Sequence, residues 1–159
     1  LEEEMVNIEL LKRTELFEGL VESQLHEILS HSITKSYPER ESLFIQGEEA
    51  NHIFILIKGA IDLTVKTKEQ VNFIASKIEK EGAVFGTASI IKPFRYNVSA
   101  ICLIPSEVLM IDAQWLRNKM KEDLKMGFEI MERLATLYFN RLNELRLGVY
   151  DLIKMSGKS

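Results

Sequence analysis

The chain has 159 residues, 46% hydrophobic and 28% charged, with a formal net charge of −4. That is ordinary globular material, enough for one domain with an appended helix. With no basic cluster it is a poor candidate for gripping nucleic acid by itself, and the single cysteine, Cys102, excludes an intrachain disulfide and a cysteine-ligated iron–sulfur cluster.

Leu1-Glu2-Glu3-Glu4 is not a signal peptide, and it lacks an initiator Met. Met5 to Leu11 is a short helical candidate, broken by Leu16-Phe17-Glu18-Gly19-Leu20. Glu22 to Ser30 is a second helix, with Leu25, Ile28 and Leu29 at helical spacing. The pattern then becomes extended. Ile33 to Tyr37 ends at Pro38, and Ser42 to Ile45 leads into a turn at Gly47. His52 to Lys58 is apolar on both faces, which predicts a central strand in a closed or sandwiched sheet. Ala60 to Lys66 alternates, with Ile61, Leu63 and Val65 on one face, and Val71 to Lys77 returns as its hairpin partner after a polar turn. Val98 to Ile104 and Val108 to Ile111 complete the strands, with Cys102 in an apolar run that favours a buried, inert thiol. Short strands with glycine turns mean a β-sandwich or barrel.

Asp112 is a candidate N-cap for a short helix, Ala113 to Met120, that holds Trp115. From Glu122 to about Ile153 runs one long helix without proline. At ~1.5 Å per residue it outruns a small barrel. Leu124, Met131, Tyr138, Leu145 and Leu152 recur every seventh residue, as do Phe128, Ala135, Leu142 and Val149. That apolar surface is wider than one seam. One flank is expected to cover the barrel and the other to meet a partner helix, although Arg141 sits in the seam. Charges interrupt every long apolar run, so no membrane span is expected.

The stretch from Gly82 to Ile91 joins a short β pattern to two glycines and then to small residues able to open a helix. Such a turn aims backbone N–H groups at one spot and attracts anions. Gly86, Thr87, Ala88 and Ser89 supply the amides, and Arg95 is the candidate charged partner. The plain alternatives are a turn that only punctuates the chain and an arginine that only meets solvent. Metal chemistry is poorly supported, because His26, His31 and His52 are scattered and no His–X–His exists. Ser89 and Ser99 have no histidine nearby in sequence, so nucleophilic catalysis has no support either.

From Leu16 to Leu152 the order of features resembles the cyclic-nucleotide-binding domain of the catabolite-activator (Crp/Fnr-like) family. Leu43-Phe44-Ile45-Gln46-Gly47-Glu48 is similar to its first glycine turn, and Ile53 to Gly59 followed by Ala60-Ile61-Asp62-Leu63 to its strand–Gly–strand. Gly82 to Ser89 is similar to the opening of its phosphate-binding cassette. The resemblance implies an α+β, mainly β fold: a double-stranded β-helix (jelly roll) with short N-terminal helices and a long C-terminal helix. It implies a helical extension over 1–15, the jelly roll over 16–121, a lid and dimerisation helix over 122–153, and a tail over 154–159. It further implies a cytoplasmic, non-enzymatic regulatory domain, a homodimer through the long helix, and a cyclic nucleotide or other small anion as ligand, with no other cofactor.

The ligand residues depart from the family pattern. Thr87 stands where the family has the Glu that takes the ribose 2′-hydroxyl. Matching Val98-Ser99-Ala100 to the family's next strand puts its phosphate-binding Arg at Phe94, with Arg95 one residue later; a bulge would be needed to restore it. Tyr96 falls where the family prefers a small residue, and Leu145-Arg146 aligns with the pair that reads adenine in the bacterial activator. Two readings stay open. In one the pocket takes a small anion at Gly86, Thr87, Ala88, Ser89 and Arg95, lined by Phe94, Tyr96, Tyr138 and Leu145. In the other Phe94 and Tyr96 fill it, and the domain is a dimerisation or interaction module. A helix-turn-helix does not fit in the residues after the long helix, so a DNA reader would have to lie elsewhere.

Overall fold

The computed structural model describes residues 2–157. Helix α1 (Glu2–Arg13) leads through a 3-10 turn (Glu15–Phe17) to α2 (Glu22–Ser30). Eight strands follow: β1 (Ser32–Tyr37), β2 (Ser42–Phe44), β3 (His52–Lys58), β4 (Ile61–Lys66), β5 (Asn72–Ile78), β6 (Val84–Phe85), β7 (Ser99–Cys102) and β8 (Ser106–Asp112). A second 3-10 turn (Thr87–Ile90) sits between β6 and β7, and helices α3 (Ala113–Glu122) and α4 (Leu124–Ser156) end the chain.

The strands form two antiparallel four-stranded sheets, ordered β1-β8-β3-β6 and β2-β7-β4-β5. This is the jelly roll that the resemblance implied, within the sandwich or barrel that the strand spacing predicted. Strand β3 is interior, paired with both β8 and β6, which is why it is apolar on both faces: Ile53, Phe54, Ile55 and Leu56 are all buried. One apolar cluster lies between the sheets around Phe44, Phe54, Leu56, Phe85 and Tyr96. The other joins the outer face of the first sheet to the helices, through Leu11, Phe17, Ile28, Ile55, Leu116, Met126 and Ile130. Cys102 is buried in β7, and burial raises its thiol pKa, so it is a packing residue.

The N-terminal helices are tied to the β structure by a few specific contacts. The buried Thr14 hydroxyl donates to the Gly82 carbonyl at 2.9 Å, joining the end of α1 to the start of the glycine stretch. His31, which follows α2, stacks on Trp115 of α3 with ring centroids 4.1 Å apart.

The long helix differs from expectation at its start. Asp123 separates two helices where one was expected to begin at Glu122. Its amide donates to the Lys119 carbonyl and closes α3, while its carboxylate accepts from the Met126 amide at 3.1 Å and opens α4. The other carboxylate oxygen accepts from Gln24 of α2 at 3.3 Å. Gly127 lets the two helices cross closely, since a Cβ there would stand 2.5 Å from the Met120 carbonyl oxygen. Met126, Gly127, Ile130 and Leu134 are the buried residues of α4; Leu137 is partly buried on the same cluster, and from there to its end the helix carries no fully buried side chain.

Candidate functional site

A cleft of about 520 Å³ opens between the second sheet, the glycine turn and α4. Leu63, Val84, Phe85 and Val98 form its apolar floor, Gly86, Thr87 and Asn97 one wall, and Tyr138, Arg141, Leu142, Glu144 and Leu145 of α4 the other. Its size suits a small organic ligand, and its mix of an apolar floor with a few polar groups is that of a binding pocket.

The turn is built by Gly86. Its φ of 72° is left-handed, and a Cβ would meet the Phe54 ring at 2.9 Å and the His52 carbonyl oxygen at 3.2 Å. Both conformation and space therefore require glycine. The turn then tightens into a 3-10 helix: the Ser89 amide and hydroxyl both donate to the Gly86 carbonyl, at 3.2 and 2.8 Å. That takes the Ser89 amide out of the expected anion-binding set. Ser89 is fully buried, Ala88 faces inward as well, and only Gly86 and Thr87 of the four turn residues line the cleft. The Ser89 carbonyl accepts from Arg117 of α3 at 2.6 Å, so an arginine braces the back of the turn.

Three of the expected pocket residues do line the cleft. Tyr138 reaches across from α4, and its hydroxyl lies 2.7 Å from the Thr87 hydroxyl. Leu145 stands two turns further along the same face. Tyr96 touches the cleft but points between the sheets, where its ring stacks on Phe44 at 3.8 Å and its hydroxyl donates to the His52 carbonyl at 2.9 Å. Burial pushes its phenol up to about 12, against smaller lowering by the hydrogen bonds to His52 and Asn51.

Phe94 and Arg95 lie elsewhere. Residues 94–96 run antiparallel to 47–50: the Tyr96 amide donates to the Glu48 carbonyl, the Gly47 amide to the Tyr96 carbonyl, and the Ala50 amide to the Phe94 carbonyl, so Gly47 and Glu48 together oppose Tyr96 as a glycine bulge on the facing segment. Neighbours in an extended segment point to opposite sides, so with Tyr96 directed inward Arg95 is directed outward. Its guanidinium donates to the Gly47 carbonyl at 3.0 Å, outside the cleft lining. The bulge lies on the facing segment at Gly47, and it does not return Arg95 to the ligand side. Phe94 has a φ of 60° and turns toward α3, where the Arg117 guanidinium lies 4.1 Å from its ring centre. It borders a separate apolar groove with Leu124, Phe128 and Met131.

The sequence reading missed Arg141 and Glu144. Among the described residues that line the cleft they are the two charged ones, and both come from α4. The seven-residue periodicity had marked Arg141 as an interruption of a hydrophobic seam. Its one available signal was its place three residues after Tyr138, on the face that looks at the glycine turn. Among the described residues no group of three or more His, Cys, Asp or Glu is placed to hold a metal ion. No helix of the described residues is long and apolar enough to cross a membrane.

A family model described as "Cyclic nucleotide-binding domain" matches residues 34–123. Potassium channel KAT2 of Arabidopsis thaliana is 26% identical over 123 residues, covering 75% of this chain and 17% of the channel. The anaerobic regulatory protein of Bacillus subtilis is 25% identical over 135 residues, covering 84% of this chain and 55% of that protein. The chain thus spans little more than half the length of one relative and a sixth of the other. Among solved structures, the sensor domain of the transcriptional regulator DNR from Pseudomonas aeruginosa superposes with a TM-score of 0.76 at 24% identity, covering 91% of this chain and 96% of that one. At that identity the likeness is one of fold.

Proposed function

Because the chain belongs to the cyclic nucleotide-binding domain family, we propose that it is a non-enzymatic sensor domain that holds a small anionic effector in the cleft between the Gly86 turn and α4. The observation that carries this reading is the cleft itself. It is walled on one side by a helix whose far half makes no buried contact with the barrel, so occupancy bears directly on how that helix sits. The domain resembles the sensor domains of Crp/Fnr-like transcription regulators, and the same module occurs in the relatives of two output types, a channel and a regulator. The effector reports its presence through α4, and the exposed apolar residues of that helix form a homodimer seam.

Ordinary cAMP is a weak ligand in this reading. Thr87 replaces a carboxylate, and its hydroxyl is already engaged by Tyr138. Leu145 presents an apolar side chain where an adenine-reading hydroxyl would be, and Arg146 is not in the cleft lining. Two lost polar anchors at roughly 1–1.5 kcal/mol each weaken binding about ten- to a hundredfold. Isothermal titration with cAMP and cGMP is expected to give dissociation constants near or above the high-micromolar range. A sub-micromolar constant for cAMP would show that these substitutions are compensated. The sensor reading itself is tested by amide chemical shifts: ligand addition should move Gly86, Thr87, Asn97 and Leu145, and unmoved cleft amides across a panel of nucleotides and small organic anions would end it.

A further inference from the structure

The sensor reading leaves open what neutralises the effector's charge, and the inference here rests on that reading. A small organic anion needs a cation, and the turn does not present one. Arg95 is directed away and donates to the Gly47 carbonyl. Arg117 lies behind the turn, occupied by the Ser89 carbonyl and the Phe94 ring. The cation at the cleft is Arg141, one helical turn beyond Tyr138 on the same face of α4. Tyr138 touches Thr87 at 2.7 Å, so Arg141 is held within about one turn's rise, ~5.4 Å along the helix axis, of the point where helix and glycine turn meet. Its guanidinium has no hydrogen bond or ion pair among the described residues. It also borders the smaller cavity beside Arg13, Lys80 and Glu81, and it is exposed to solvent.

We propose that Arg141 is the charged anchor of the effector, so that the anionic group, a phosphate ester or a carboxylate, is gripped by helix α4 and not by an arginine of the glycine turn. A guanidinium offers a planar fork of donors that matches either group. The apolar floor of Leu63, Val84 and Val98 takes the body of the same ligand. Held in this way, the effector bridges helix and barrel, and its charge acts on α4 without an intermediary.

The test uses the whole chain and three probes: cAMP, adenosine as the same body without the charge, and inorganic phosphate as the charge without the body. Amide shifts of Thr87, Asn97 and Leu145 report occupancy. Wild-type protein is expected to bind cAMP at least about tenfold more tightly than adenosine, because a charged hydrogen-bonded anchor is worth at least that factor. Arg141→Gln should abolish the difference, Arg141→Lys should keep part of it, and Arg95→Gln should leave it unchanged. The position is exposed, so these variants should keep the dispersed spectrum of the folded domain. Equal binding of cAMP and adenosine to wild type would leave the cleft reading standing and remove the anchor. A loss in Arg95→Gln as large as that in Arg141→Gln would also remove it. No cleft shift with any of the three probes would overturn the anchor, while the sensor reading falls only if the wider panel of nucleotides and small organic anions leaves these amides unmoved as well.

Discussion

At Tyr96 a phenol lies between the two sheets, its ring stacked on Phe44 and its hydroxyl bonded to the backbone of His52 in both directions: it donates to the carbonyl at 2.9 Å and accepts from the amide at 3.2 Å. The neutral form is the one that fits. Its pKa is raised to about 12 in the folded protein from an ordinary value of 10.0. Between those values the unfolded chain has released the proton and the folded chain retains it, so stability is intact below pH 10 and falls as pH rises toward 12. Urea unfolding at pH 9 and pH 11 is expected to show a larger loss for wild type than for Tyr96→Phe. The variant should be weaker by about 1 kcal/mol at pH 7, where the hydroxyl's hydrogen bonds are missing. A wild type that loses no more than the variant at pH 11 would show that the phenol escapes to water. Tyr96 also shows how residue identity and residue direction part company in a sequence. Its presence beside the cassette was legible, and so was the departure at Thr87. That Tyr96 turns inward and Arg95 outward depended on pairing with residues 47–50, almost fifty positions away, and local pattern carries no information on such pairing.

Among the elements, the α3–α4 junction sets where the cleft's helical wall begins. Asp123 caps both helices, and Gly127 admits the Met120 carbonyl against the α4 backbone. A Cβ at Gly127 forces the two axes apart. Gly127→Ala is expected to cost about 1–3 kcal/mol despite alanine's better helix propensity, read as a lower urea midpoint. A variant as stable as wild type would show that the crossing relaxes at no cost. Elements with a strong pattern of their own were legible almost to the residue: the doubly apolar strand His52–Lys58 and the amphipathic helix Glu22–Ser30 were both read with their observed bounds. The break between α3 and α4 was read two residues early, between Met120 and Glu122 instead of at Asp123, since a charged residue between amphipathic helices looks the same inside a helix as at its cap. The two-residue β6 was read only as a short β pattern without bounds, because it is too short to show a period. Periodicity also explains why Arg141 was read as a flaw in a seam: it tells which face a residue occupies, and not what stands opposite that face.

Taken whole, the molecule has a barrel that is closed and packed and a helix that is neither for most of its length. Of α4's 33 residues, those after Leu134 carry Phe139, Leu147, Val149, Tyr150, Leu152 and Ile153 well exposed. So extended an apolar surface marks an interface. A second copy of α4 is the proposed occupant, because the helix runs beyond the barrel and its apolar residues repeat every seventh position. Leu142 and Leu145 belong to that repeat but also line the cleft, so the informative substitution lies further out. Leu152→Glu is expected to convert a dimer to a monomer with the sheets intact, as followed by analytical ultracentrifugation and circular dichroism. A wild type that sediments as a monomer at micromolar concentrations would dispose of the seam.

The same geometry has a mechanical side. Leu134 is the last buried residue of α4, Tyr138 comes one turn later, and Ser156 ends the helix. At ~1.5 Å per residue these points lie about 6 Å and about 33 Å from a pivot at Leu134. A rigid helix turning there is a lever with unequal arms, geared roughly fivefold. Parting the Thr87 and Tyr138 hydroxyls by about 1 Å would sweep the far end through about 5 Å. A shift that small lies within the reach of one bound molecule, and at the tip it equals the rise of a full helical turn.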